Sequence, residues 1–368
     1  MGTQPPLHHH VGAKRLESVQ VMRGIAASMV MLCHLTYANG NFQSVFPSFS
    51  LLFSYGWLGV TMFFVISGFV IPHGMDAMNY RIRSDAWPFF LRRLVRLEPP
   101  YIVSVFLAFT IAYAAAQSSS YHGAPFAPSF KEFLLQFLYI GPWFNVPFIN
   151  DVAWTLAIEF QYYALALFAV PLILSPSNVL KVIFFSAVIS LSVLVRDQRA
   201  LFLYLPCFAV GFSIFLFYSQ RIGVKTFVGL CGLFVALTAL NQGIPQAVMG
   251  TISAGLILLP LNRPLPILSF FGTMSYSLYL VHTPVGDRVI NLAMRASSNW
   301  VQLGGLVAGI GLSLFVAMML WYFIERPSHL RAKRVLATNT RSVNTLPSSA
   351  LKKSACNDRD ESFSTLPR

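Results

Sequence analysis

The chain has 368 residues, 55% of them hydrophobic and only 11% charged, with a mean hydropathy of +0.62 and a formal net charge of +13. Soluble domains carry about 25% charged residues, so the composition excludes an ordinary soluble enzyme and implies a polytopic membrane protein. The excess of basic residues does not indicate nucleic acid, because they fall between apolar stretches rather than on a soluble face.

Residues 1–17 are polar, include the run His8, His9 and His10, and show no cleavable signal peptide. They read as a cytoplasmic N-terminal segment. Apolar stretches of about 18 or more residues then predict an all-α integral membrane protein with about ten transmembrane helices. These lie near 18–36, 50–72, 98–117, 153–174, 179–195, 200–219, 222–240, 244–261, 266–285 and 303–324. With the N-terminus inside, most of the 26 basic residues fall on the cytoplasmic side. Only Lys131, Arg196, Arg199, Arg288 and Arg295 lie outside, which is the asymmetry expected when both termini are cytoplasmic.

The first span, SVQVMRGIAASMVMLCHLT, holds two residues that are costly at membrane depth, Arg23 and His34. They are eleven residues apart, a helical rise of roughly 16 Å. The second span carries Gly56, Gly59 and Gly68, which suit close helix packing or close approach of the backbone to a ligand. Before the third span comes PFFLRRLVRLEPPYI. Arg92, Arg93 and Arg96 share a helix face there. Guanidinium forks suit phosphates, although topology or lipid headgroups would use the same residues.

The longest outer connection, from Gln117 to Val152, is rich in proline and aromatic residues. It reads either as a lid over a groove or as an interfacial belt. Glu159 follows a few residues into the fourth span, and His282 comes late in the ninth. The predicted topology brings both to the level of His34. A base, a group that orients it and a second proton-handling residue are what acyl transfer to a hydroxyl requires. Simpler readings are a helix–helix hydrogen bond for either histidine and an arginine partner for Glu159. The four cysteines show no metal-ligand spacing and no disulfide framework, so no metal site is expected. Residues 328–368 read as a basic, disordered cytoplasmic tail.

Six features in order resemble the membrane-bound acyltransferase 3 family, over about Leu16 to Pro327. They are Arg23 with His34, GVTMFFVISGFVI, Arg93 and Arg96 followed by Pro100-Tyr101, WTLAIEF with Glu159, SYSLYLVH ending at His282, and IERP. The family includes nodulation-factor, exopolysaccharide, O-antigen and macrolide acyltransferases, and the opening LESVQVMRGIAA is most similar to the exopolysaccharide O-acetyltransferase branch. The resemblance implies an acyltransferase transmembrane domain at 18–327 in a bacterial inner membrane. It implies no permanently bound cofactor and an acyl-CoA donor, acetyl-CoA above all, approached from the cytoplasm. The acceptor would be a hydroxyl of a glycan or lipid-linked saccharide at the outer side, within polysaccharide biosynthesis and beside its assembly machinery. His34 would be the essential catalytic residue, with Glu159 and His282 at motif positions, and Arg23, Arg93 and Arg96 would handle the donor.

Two departures stand out. Glu98 follows the arginine cluster, where it could pair with one of the arginines, and no large soluble domain follows the last span. The sequence alone leaves open whether His34 acts as base or as acyl carrier. A transporter or flippase of a lipid-linked saccharide, using the same ionisable residues as a proton relay, is the rival from another functional class. A scaffold in an export complex is a third reading, and it leaves those residues without a purpose.

Overall fold

The computed structural model describes residues 7–117, 126–175, 177–259 and 265–334, and every regular element among them is a helix. In chain order these are α1 (Leu7–Leu35), α2 (Gly40–Val45), α3 (Pro47–Leu51), α4 (Gly59–Ala77) and α5 (Ile82–Ala116). There follow α6 (Phe130–Phe137), α7 (Ala153–Leu174), α8 (Asn178–Leu194), α9 (Leu201–Tyr218), α10 (Val224–Gln242) and α11 (Ile244–Leu258). The last are α12 (Pro266–Thr273), α13 (Ser275–Val281), α14 (Arg288–Ala293) and α15 (Asn299–Leu320).

Among the described residues, seven helical stretches are long and apolar enough to cross a membrane. They are Glu17–Leu35, Pro47–Ala77, Ile82–Ala116, Ala153–Leu174, Leu201–Tyr218, Val224–Gln242 and Asn299–Arg334. Two further predicted spans are shorter apolar helices, Val179–Leu194 and Ile244–Leu258. The predicted ninth span is a broken helix, α12 to α14, with a π-helical turn at His282–Asp287. The protein is thus an all-α, multi-pass membrane protein.

Three boundaries differ from the sequence reading, each for a local reason. α1 begins at Leu7, inside the segment expected to precede the membrane. α5 begins at Ile82, sixteen residues before the predicted third span, so the arginine cluster sits within one 35-residue helix. That helix absorbs Pro88, Pro99 and Pro100. A proline removes one backbone N–H, so Pro99 and Pro100 leave the Val95 and Arg96 carbonyls without their helical donors; the neighbouring Leu97 carbonyl accepts a hydrogen bond from Tyr276 Oη at 2.8 Å. The last helix does not stop at the IERP segment. It passes through a π-helical turn at Trp321–Glu325 and runs on to Arg334. The expected disordered tail lies, beyond Arg334, outside the described residues.

The connection between α5 and α7 carries a short helix, α6, with a reciprocal cap between Ser129 and Glu132. Phe133 packs on Phe106 and Phe109 of α5. Gln136, which is buried, donates to the Pro147 carbonyl and accepts from Ile149 N. Arg199, from the loop before α9, lies 4.8 Å from the Trp143 ring and donates to Asp197 at 2.6 Å. Those charge-assisted bonds hold the Asp197 carboxyl down at about 2. This tether is therefore complete above the ordinary aspartate range and is lost as pH falls through about 2.

The bundle is centred on α9, whose apolar stretch is 72% buried, while that of α10 is 17% buried and lies at the rim. Apolar side chains gain little by leaving lipid, so helices here associate through close backbone approach. A Cβ on Gly68 of α4 would run into the Phe208 carbonyl of α9, and one on Gly211 of α9 into the Val65 carbonyl of α4. The second-span glycines thus serve helix contact, and Gly59 meets the Ala26 carbonyl of α1 in the same way. Gly211→Val is expected to destabilise the protein by at least the ~1–3 kcal/mol of an overpacked core, read as a lower Tm in detergent. Gly229→Ala, where a Cβ meets nothing within 4 Å, is expected to leave Tm unchanged or raise it.

Candidate active site

The polar residues inside the bundle form two groups. The first is a histidine pair. His34 Nδ1 lies 2.8 Å from His282 Nε2, and the two ring planes are within 5° of each other. His282 is fully buried and His34 half-buried. His282 Nδ1 lies 3.0 Å from the Leu278 carbonyl oxygen. A carbonyl can only accept, so Nδ1 of His282 carries the proton and, in the neutral ring, Nε2 is bare. The bare Nε2 then accepts from His34 Nδ1–H. The His34 proton is thereby fixed on Nδ1, and its Nε2 presents a free lone pair.

Local structure explains why the pair forms. Pro284 has no N–H to give to the Leu280 carbonyl, and Asn150 Nδ2 takes that carbonyl at 2.8 Å. The interrupted ladder relaxes into the π-helical turn that begins at His282, a feature frequent at functional sites. Beyond His34, Asn39 caps α2 through Phe42 N and donates to Asp287 Oδ1 at 3.2 Å, so the end of α1 is fastened to the broken helix. Asp151, exposed, accepts from Thr283 Oγ1 at 3.3 Å.

The second group lines a cavity of ≈ 250 Å³ between α1, α4, α5, α7 and α13. Arg23, Arg93 and Arg96 reach it, with Glu159, Ser67 and Tyr163 on its wall. The Arg93 guanidinium is held between the rings of Phe89 and Tyr163, 5.2 Å from each centroid, and its buried Nε has no hydrogen-bond partner among the described residues. Among those residues the ion pairs are Arg199–Asp197 and Arg221–Asp76, so no carboxylate closes on the three arginines. Their forks remain available to an anion entering the cavity.

The structure brings together His34 with His282, and Arg23 with Arg93 and Arg96. It does not bring Glu159 to the histidines. Glu159 Oε1 accepts from Tyr163 Oη at 2.5 Å and from Ser67 Oγ at 2.9 Å, in the cavity that neither histidine lines. Contacts between α7 and α13 set the depth. Thr155 Oγ1 donates to Tyr279 Oη at 2.9 Å. Glu159 is one turn further from that level on one side and His282 nearly one turn on the other, so they are roughly 10 Å apart along the bundle. Counting from the start of its helix places Glu159 level with the histidines, whereas the Thr155–Tyr279 contact sets α7 and α13 so that Glu159 and the histidines lie on opposite sides of that level. Nor does Glu98 pair with an arginine. It faces Tyr101 and Tyr139 instead.

Four residues of this region were not singled out as site residues from sequence. Ser67, Tyr163 and Tyr279 are the first three. Tyr163 was signalled by its i,i+4 spacing from Glu159, whereas nothing local marks Ser67. The fourth is Glu325, buried, which accepts from Ser277 Oγ at 2.6 Å and Ser277 N at 3.2 Å. It belongs to the recognised IERP segment, and only the π-helical turn turns it inward, within electrostatic reach of Arg23 and Arg96.

The family model for the Acyltransferase domain matches residues 16–322. The O-acetyltransferase OatA of Staphylococcus aureus (strain NCTC 8325 / PS 47) is 26% identical, over 77% of this chain and 54% of that protein. The acyltransferase MdmB of Streptomyces mycarofaciens is 28% identical, over 40% of this chain and 38% of its own. The chain thus spans about half the length of the O-acetyltransferase it resembles. No solved structure matches it.

Proposed function

The chain belongs to the acyltransferase 3 family, and from that membership we propose that it moves an acetyl group from acetyl-CoA to a hydroxyl of a glycan or lipid-linked saccharide across a bacterial inner membrane. The observation that carries this reading is that α1 holds an arginine in an anion-ready cavity and, eleven residues on, a histidine whose Nε2 lone pair is fixed by a partner. Coenzyme A is polyanionic, so its phosphates stay with Arg23, Arg93 and Arg96 at the cytoplasmic end. The rise of roughly 16 Å from Arg23 to His34 is within reach of the pantetheine arm.

At the far end His34 Nε2 takes the proton of the acceptor hydroxyl as that oxygen attacks the thioester carbonyl. The C–S bond breaks, the ester C–O bond forms, and the proton leaves with the coenzyme A thiolate as the thiol. The same lone pair can instead accept the acetyl group and pass it on. Radiolabelled acetyl-CoA without acceptor distinguishes these courses, since only the second leaves label on His34. In either case the cation that develops on His34 is shared with His282 Nε2. The family membership and the arginine cavity both favour an enzyme over a lipid-saccharide transporter.

The experiment is thiol release from acetyl-CoA by purified protein in nanodiscs with a saccharide acceptor. Acceptor-dependent release supports the reading. Movement of saccharide across a bilayer with no thiol release overturns it in favour of transport. In the same assay His282→Leu is expected to lower kcat by up to the ~10⁴-fold that a misassigned tautomer costs, with KM for acetyl-CoA unchanged.

A further inference from the structure

The last helix brings further positive charge to the arginines, from a side that α1 and α5 do not occupy. Ser313 Oγ of α15 donates to the His282 carbonyl at 3.5 Å, and Glu325, past the end of α15, meets Ser277. Ser277 precedes His282 by more than a helical turn, so α15 runs away from the histidine pair. Its continuation to Arg334 reads RPSHLRAKR and holds no carboxylate. Glu325, Ser328 and Ala332 are buried, and their spacing marks the face turned to the bundle. His329 stands beside that face, one turn beyond Glu325 and half-buried, and Lys333 is a turn further on and exposed. Arg96, Lys333, Arg23 and Arg93 all act electrostatically on His329, and every one is a cation. The one carboxylate on this face, Glu325, is engaged by the hydroxyl and the N–H of Ser277. Like charges gathered in this way repel one another, and an anion that reaches several of them at once relieves the repulsion.

Resting on the acetyl-CoA reading above, we infer that His329 and Lys333 form a subsite for the ribose 3′-phosphate of coenzyme A, outside the place where Arg23, Arg93 and Arg96 hold its diphosphate. The order of the cations matches the order of the donor's groups. The pantetheine arm leaves the diphosphate on one side, toward His34, and the ribose with its 3′-phosphate lies on the other. The three arginines line the cavity. His329 comes next, within reach of all three, and Lys333 is outermost. The residue types match as well. Arginine forks suit diphosphate oxygens enclosed in a cavity. A lysine ammonium is a compact, hydrated point charge, suited to a phosphomonoester at an exposed mouth, and the histidine beside it has a ring N–H to donate to the same group.

The test is equilibrium binding of coenzyme A and of 3′-dephospho-coenzyme A to the full chain in phosphatidylcholine nanodiscs, whose headgroups carry no net charge, read by displacement of a fluorescent coenzyme A analogue. The wild type is expected to bind coenzyme A ~10–100-fold more tightly than the dephospho form, the range that hydrogen bonds to a charged group supply. His329→Gln with Lys333→Ala is expected to reduce that ratio to below about threefold by weakening coenzyme A alone, the retained affinity for the dephospho form showing that the variant is folded. Arg334→Ala, on the opposite side of the helix from Ala332, is expected to leave the ratio unchanged. A wild type that binds the two ligands equally overturns the subsite, and so does a double variant that keeps the full ratio. Should the double variant bind neither ligand, Lys333→Ala alone decides, since that side chain is exposed: a reduced ratio supports the subsite and an unchanged one overturns it. If the wild type binds neither ligand, the acetyl-CoA reading itself fails, and the subsite with it.

Discussion

His34→Ala is expected to lower acetyl transfer by ~10²–10⁴-fold, the range general acid–base groups contribute, while leaving acetyl-CoA binding intact. The size of the loss follows from the hydrogen bonding of the pair. His34 offers a bare Nε2 because its Nδ1 proton is committed to His282 Nε2, and His282 is committed in turn to the Leu278 carbonyl. Alanine removes the lone pair so prepared, and His282 Nε2, which loses its partner in the variant, belongs to a fully buried ring. Donor binding survives because His34 does not line the arginine cavity. The checking measurement is a pair of titrations: kcat from thiol release and donor affinity from a fluorescent coenzyme A analogue. A His34→Ala protein that keeps more than a tenth of wild-type kcat contradicts the assignment.

The second large effect is expected at the other end. Arg93→Ala and Arg96→Ala should each raise KM for acetyl-CoA by roughly 10–100-fold, from the ~1.5–3 kcal/mol that a hydrogen bond to a charged group contributes, with kcat far less affected. Arg93→Lys is expected to rescue poorly. The guanidinium plane is held between the Phe89 and Tyr163 rings, and a lysine ammonium neither stacks there nor presents a fork. A reduced kcat with unchanged KM in these variants would place the arginines in the chemistry rather than in donor binding. Their counter-charges belong to the same argument. Glu159 and Glu325 face the arginines from α7 and from the π-helical turn after α15 without closing an ion pair. Glu159→Gln is therefore expected to alter donor KM rather than the proton chemistry at His34.

The helical class followed from apolar length alone, and the pairing of His34 with His282 was approached correctly through depth, since each lies near the same end of its span. Depth failed for Glu159 because it was counted from a helix start, whereas the true level is set by the contact of Thr155 with Tyr279. Glu325 carries no such signal: it lies in the π-helical turn after α15 and meets Ser277 there. The arginine cluster was seen as a group. Its location within a single long helix was hidden by Pro88, Pro99 and Pro100, which ordinarily mark helix boundaries but here lie inside α5. The glycines of the second span carried two readings, which only the backbone contacts of Gly68 and Gly211 separate.

The most direct test of transfer along α1 is a sided assay. Protein is reconstituted in vesicles with the saccharide acceptor sealed inside and radiolabelled acetyl-CoA added outside, and the contents are recovered after removal of external donor. Label in the enclosed saccharide, absent with His34→Ala, is the predicted result. Label that appears only when acceptor and donor share one compartment would contradict the account.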